Sequence, residues 1–141
     1  MSTPSLEGLT VGQEVASASV HVDRDRLVAY AAASGDQNPI HQDEDFAQSV
    51  GLPDVIAHGM WTMGAAVEVL TGWLDDPTAI VAYSTRFTNP VVVPATGGAD
   101  IAVSATVKKV DIEAGQATIE LTVTSGEAKV LGKAIAVARL T

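Results

Sequence analysis

From His58 to Leu74 the chain runs through seventeen residues that carry one formal charge, Glu68. Apolar or small residues fill almost every position, so a helix built here has no polar face to turn toward water and has to be surrounded. The wider apolar run, residues 55–74, is broken by His58 and Glu68 and holds Gly59, Gly64 and Gly72. It therefore reads as a buried helix rather than a membrane span. Gly59, Gly64, Ala65 and Ala66 keep its first turns slim.

What remains to surround it is almost all strand. Residues 80–88 form a first long β segment, followed by Asn89-Pro90, the run Val91-Val92-Val93 and a Gly97-Gly98 turn. Ile101, Val103, Ala105 and Val107 alternate with Ala102, Ser104, Thr106 and Lys108. Beyond a turn at residues 111–116, Ile119, Leu121 and Val123 alternate with Thr118, Glu120, Thr122 and Thr124. This is the period of half-buried antiparallel strands in a meander. After Ser125-Gly126 the last strand presents Ala134, Ala136 and Ala138 on one face, small enough to let a helix come close. Residues 11–22 alternate loosely and read as an edge strand. The prediction is an α+β domain over residues 1–141, an antiparallel sheet wrapped round one apolar helix, which is the hot dog architecture. Leu131, Ile135 and Val137 are expected on its outer face, and such a face with an open edge calls for a second copy and hence a dimer.

Composition narrows the function. At 141 residues there is enough chain for one domain with a real core. Aromatic residues make up only 4%, so that core is aliphatic. The net charge of −9 argues against generic nucleic-acid binding, which draws its affinity from a basic face. Residues 1–85 hold two arginines against twelve acids, whereas residues 86–141 hold six bases against five acids, so an acidic partner would meet the second half. There is no cysteine, which removes disulfides and thiolate metal sites. The first ten residues lack the basic start and apolar centre of a secretory signal, and a cytoplasmic location is expected.

The residues that carry chemistry lie just ahead of the central helix. Asp23 suits the N-cap of a helix over residues 24–34, with Leu27, Tyr30, Ala31 and Ser34 on one face, and Gly35 suits its left-handed stop. Ser34-Gly35-Asp36-Gln37-Asn38-Pro39-Ile40-His41 follows, stiffened by Pro39. Asp43-Glu44-Asp45 then loads the start of a short helix that ends at Gly51. A carboxylate and an imidazole five residues apart on a stiff loop form a general acid and base pair. Gly59 opens the central helix, where its N–H is unpaired and backed by the helix dipole, a place to stabilise an oxygen that becomes negative. Together they suit chemistry at a carbon next to a carbonyl. The residues also admit a structural account, with Asp36 as an Asx turn and His41 filling a pocket. The His58-Gly59 pair tips the balance toward function. His58 reads as an orienting or hydrogen-bonding residue, and His21 as structural or exposed. Asp36, His41 and His58 are metal-ligand types, yet their spacing is not that of a zinc helix motif and no metal is expected.

The run YAAASGDQNPIHQDEDFAQSVGLPDVIAHGMWTMG, residues 30–64, resembles the signature of the MaoC-like, (R)-specific enoyl hydratase family, and the helix-then-strands remainder agrees with that family's hot dog domain. The resemblance implies a (3R)-3-hydroxyacyl thioester dehydratase, or trans-2-enoyl thioester hydratase, of fatty-acid metabolism. It implies that Asp36 and His41 act as the catalytic pair through one water, that the Gly59 amide holds the thioester carbonyl, and that Asn38 supports the loop. No cofactor is implied. The implied partners are an acyl-CoA or acyl carrier protein thioester and a second hot dog subunit, identical or not. Some members carry a serine further along the central helix that helps hold the loop; here that stretch is Ala65-Ala66-Val67-Glu68, and Glu68 is expected to find a structural partner at the dimer interface. The other readings are a hot dog thioesterase, which would need no His41, and a non-catalytic acyl-binding subunit, which would need neither acid nor base.

Overall fold

In the computed structural model, which describes residues 3–141, β1 (Glu14–Val22) leads into α1 (Arg24–Ser34) and the short α2 (Glu44–Ser49). The helix α3 (Gly59–Leu74) comes next, then β2 (Ile80–Phe87), β3 (Ala99–Asp111), β4 (Gln116–Ser125) and β5 (Ala128–Arg139). Met1 and Ser2, the start of the segment read above as lacking a secretory signal, lie outside the described residues. The expected helix caps form: the Asp23 carboxylate accepts from Arg26 N–H, the Asp43 carboxylate from Phe46 N–H, and Gly35 ends α1 in the left-handed region at φ 83°. Among the described residues no helix is long and apolar enough to cross a membrane.

The strands form one antiparallel sheet in the order β1-β3-β4-β5-β2. β1 lies at an edge as its loose alternation suggested, and β2 crosses to the opposite edge beside β5. The inward side chains of β3 and β4, from Ile101 to Val107 and from Ala117 to Val123 at alternate positions, are buried, as are Ala134, Ala136 and Ala138. Against them α3 lays Thr62, Ala66, Leu70 and Leu74, one residue per turn, all buried. Burial of Leu70 and Leu74 stabilises the fold by about 1.5–3 kcal/mol each. The helix wrapped by a curved sheet is the hot dog arrangement.

Two details depart from expectation. Within this chain α3 is not enclosed all round: Met60, Gly64, Glu68 and Gly72, four apart in turn, lie on an exposed face. Glu68 is thus exposed in the single chain. Leu131 points inward, not outward. Leu121 pairs with Ala134 and Val123 with Leu131, so two steps along β4 match three along β5. The extra residue sits at Gly132-Lys133, with Lys133 at φ 46°, and this bulge resets the alternation so that both Leu131 and Ala134 face the core. Ile135 and Val137, beyond the bulge, keep their partly exposed outer positions. His21 is exposed, with Nδ1 2.8 Å from the Asp100 carboxylate across the β1–β3 pairing.

The Gly97-Gly98 turn is locked by space as well as by φ. Gly98 stands at φ 61°, and a Cβ there would collide with the Val22 carbonyl. Gly72, on the exposed face of α3, has open space round it. Gly98→Ala should lower unfolding stability by at least about 2 kcal/mol, while Gly72→Ala should raise it by about 0.5–1 kcal/mol. Urea unfolding of the two variants checks both signs.

Candidate active site

Residues 34–42 are held by a relay of short-range bonds. Asp36 N–H donates to Ser34 Oγ at 3.1 Å, Asn38 N–H to Asp36 Oδ1 at 3.2 Å, and Ile40 N–H to Asn38 Oδ1 at 3.1 Å. Pro39–His41 then makes one 3-10 turn, closed by Gln42 N–H on the Pro39 carbonyl. Each polar side chain in the motif fixes the backbone two residues on, as Asx and Ser turns do. The Asx-turn account of Asp36 is therefore correct as far as it goes, but it uses Oδ1 alone.

A second backbone element, not recognised in the sequence, carries the other half of the site. Residues 55–57 pair with residues 91–93: Val93 N–H donates to the Val55 carbonyl at 2.8 Å and Ala57 N–H to the Val91 carbonyl at 2.9 Å. Ile56 thus faces the loop from a fixed position, and its N–H donates to the Ile40 carbonyl at 3.2 Å. Arg24 braces the same segment, donating from Nε to the Val93 carbonyl at 2.6 Å and from its guanidinium to Asp54 at 2.7 Å. The nearby Glu44 carboxylate lies 3.7 Å away.

His41 Nδ1–H donates to the Ile56 carbonyl at 2.7 Å, which leaves the Nε2 lone pair as the free one. Burial lowers the His41 pKa from the ordinary imidazole value of 6.5; the Ile56 bond works against that, His58 adds to it, and Asp36 opposes it. His58, 1% exposed, stacks on His41 with ring centroids 3.9 Å apart and planes 25° apart. Tyr30 contacts it too, tilted at 4.7 Å. His58 Nε2–H donates to the Asp36 carbonyl at 3.1 Å, and its Nδ1 is buried with no hydrogen-bond partner among the described residues. Leaving such an atom unpaired costs about 1–3 kcal/mol.

One ligand-type atom from each of Asp36, His41 and His58 lies within 4.8 Å of the others. The sequence spacing concealed this convergence. A shared metal ion is nevertheless a poor fit, because the two imidazoles are stacked and nearly parallel, so their in-plane lone pairs do not aim at one point. The separation suits a water held between carboxylate and imidazole instead.

Asp36, His41 and Gly59 share the wall of one open cavity of about 550 Å3, the rest of which is mostly apolar, including Ile56, Met60, Phe87, Val91 and Leu131, with Thr62, Thr88 and Asn89 among them. Asn38, which is exposed, and His58, which is buried, are not part of that wall. No side chain caps α3, so the first N–H groups of the helix, starting with Gly59, are left for something in the cavity. The Phe87 ring lies against Gly59: a Cβ there would meet ring atoms at 3.0–3.2 Å, so only glycine leaves this corner open. Thr62 is a buried polar residue on the same wall, its hydroxyl 3.5 Å from the His58 carbonyl. Ile56, Tyr30, Thr62 and Phe87 were invisible as site residues, because each acts through its backbone or through a fold contact. An apolar cavity with an acid, a free imidazole nitrogen and a helix N-terminus can bind an acyl group, hold water beside it and stabilise an enolate-like oxygen.

Comparison with known proteins places this arrangement. A stretch of 77 residues is 43% identical to 3-hydroxyacyl-thioester dehydratase X of Mycobacterium tuberculosis, covering 55% of this chain and 26% of that protein. Another of 99 residues is 35% identical to the (R)-specific enoyl-CoA hydratase of Rhodospirillum rubrum, covering 70% of this chain and 68% of that one. A solved MaoC-like dehydratase superposes with a TM-score of 0.96 at 38% identity, over 99% of this chain and 43% of its own length. The chain thus spans about a quarter of the first relative and under half of the solved structure. The family model described as MaoC like domain matches residues 7–127, through the loop, the cavity wall and α3, and the chain belongs to that family.

Proposed function

We propose that this chain is a hydro-lyase that interconverts a (3R)-3-hydroxyacyl thioester and the trans-2-enoyl thioester, its acyl group carried by coenzyme A or by a carrier protein. The observation that carries this is the free Nε2 of His41 beside the Asp36 carboxylate, at the mouth of an apolar cavity that also holds the uncapped N-terminus of α3. The (R)-specific hydratase and the dehydratase among the relatives support the same reaction class.

In the hydration direction a water lies between Asp36 and His41. Its oxygen adds to C3 of the enoyl group while one proton passes to His41 Nε2, and Asp36 orients the water by accepting its other hydrogen. The displaced electron pair moves to the thioester oxygen, where the Gly59 N–H stabilises it. The proton then returns from His41 to C2, completing the addition. Dehydration is the same path reversed. No metal or organic cofactor enters any step. Thioester hydrolysis would need only a carboxylate and a helix terminus and would leave the ordered His41 without a task.

The acyl-binding wall is incomplete in one chain. Met60 and Phe87 line the cavity yet are 60% and 55% exposed, and Phe87 ends β2, whose outer edge carries no paired strand among the described residues and where Val81 is also exposed. A second hot dog subunit, another copy or a related chain, set along that edge would cover them.

Asp36→Asn and His41→Gln should each lower kcat for hydration of a 2-enoyl-CoA by about 10²–10⁴-fold with unchanged melting temperature; near-normal turnover by either defeats the mechanism. Free thiol release, followed beside enoyl absorbance, should stay at background; rapid release would favour the thioesterase. Because burial lowers the His41 pKa, its base form persists below pH 6.5, so the acid limb of kcat/KM should fall with an inflection below that value and vanish in His41→Gln. Sedimentation of the active protein should give at least two hot dog units, and full activity from a monomer would overturn the partner assignment.

A further inference from the structure

We infer that His58 is a positioning residue for the reaction proposed above: it hangs the catalytic loop from the N-terminus of α3 by one hydrogen bond, and it does so as the tautomer opposite to that of His41. The inference rests on the hydratase reading for its kinetic consequence but on geometry for its structural one.

The tautomers follow from the partners. A carbonyl can only accept, so the His41 nitrogen facing the Ile56 carbonyl, Nδ1, bears its proton, and the His58 nitrogen facing the Asp36 carbonyl, Nε2, bears its own. The stacked rings therefore carry their protons on different nitrogens. His41 keeps Nε2 as a lone pair at the cavity, where it can take a proton from water. His58 keeps Nδ1 as a buried lone pair with no hydrogen-bond partner among the described residues. That orphaned atom is informative, because a side chain selected only to fill space between Tyr30 and His41 would be better apolar. What an apolar residue lacks is the Nε2–H.

The bond it makes is the long-range tie on Asp36 itself. The side-chain bonds of Ser34, Asp36 and Asn38 are local, each spanning two residues, and fix the shape of the loop, while Ile40 and His41 at its far end are tied to Ile56. The His58 bond reaches across 22 residues to the peptide whose side chain is the proposed acid, from the residue directly before the proposed oxyanion donor. Asp36, His41 and Gly59 are thus brought to one frame by His58: through its bond, through its ring face, and through the chain. His58 has no place on the cavity wall and so does not touch the acyl group. Its loss should lower kcat and leave KM alone, since small displacements of a reacting group act on the chemical step.

His58→Gln and His58→Met test this as a pair, because glutamine can place an amide N–H near the position of Nε2 while methionine has similar bulk and no donor. With a 2-enoyl-CoA as probe, His58→Met is expected to lose about 30–100-fold in kcat with KM within about threefold, and His58→Gln to recover to within about fivefold of the parent. Equal kcat in the two variants, whether high or low, overturns the inference, as does a loss confined to KM. Long-range 1H–15N spectra of the unmutated protein, at a pH where both rings are neutral, give a readout independent of activity and of whether the variants fold. His58 should show a protonated Nε2 and His41 a protonated Nδ1; the same tautomer in both rings overturns it. Should the parent protein hydrate no enoyl thioester and Asp36→Asn change nothing, the functional reading fails, while the spectra still decide the anchoring.

Discussion

The structure depends on how closely α3 can approach the sheet. Its buried positions, Thr62, Ala66, Leu70 and Leu74, meet strands whose inward side chains include Ala105, Ala117, Ala134, Ala136 and Ala138. Alanines opposite leucines let the helix axis sit near the sheet while packing stays dense. That contact determines where the helix begins. Its first residue, Gly59, comes to lie at the end of the sheet beside Phe87, and the residues just before it, 55–57, fall into pairing with residues 91–93. The chemistry is arranged round a helix terminus that hydrophobic packing has already immobilised.

Against that terminus the loop of residues 34–41 combines two roles that look like alternatives in the sequence. Asp36 is an Asx turn through Oδ1, and the same turn holds its carboxylate at the cavity. His41 fills a pocket, and the burial that comes with filling it keeps the imidazole in its basic form at lower pH than usual. A side chain that fixes backbone with one atom and presents another to a ligand gains precision from its structural bond. Asn38 belongs to the structural part alone: its carbonyl oxygen caps the turn at Pro39–His41 and it does not line the cavity.

Much of this was legible because the signals are local. Asp23, Gly35 and Asp43 mark helix ends within three or four residues of the groups they satisfy, and the alternation of β3 and β4 declares the buried face of each strand. The failures share a different cause. The turn-inward of Leu131 needs a bulge, and a bulge is a property of two strands in register, not of one. Arg24 finds the Val93 carbonyl 69 residues away and His41 finds the Ile56 carbonyl 15 away; both acceptors are backbone, which any residue supplies, so neither leaves a mark in the sequence. The apolar run round Glu68 implied a helix enclosed on every side, but a stripe of four residues spaced by four remains open in the single chain.

That stripe and the edge of β2 bear on how such a site stays dry. Enolate stabilisation by one backbone N–H is strong only where bulk water is kept away, because water screens the charge that the dipole would otherwise meet. In one chain the cavity wall at Met60 and Phe87 opens directly to solvent. A partner covering the two residues would bury apolar surface and lower the dielectric round Gly59 in a single event. Phe87 thus stands at once in the cavity wall beside Gly59 and on the exposed end of β2, the place where the proposed partner would sit.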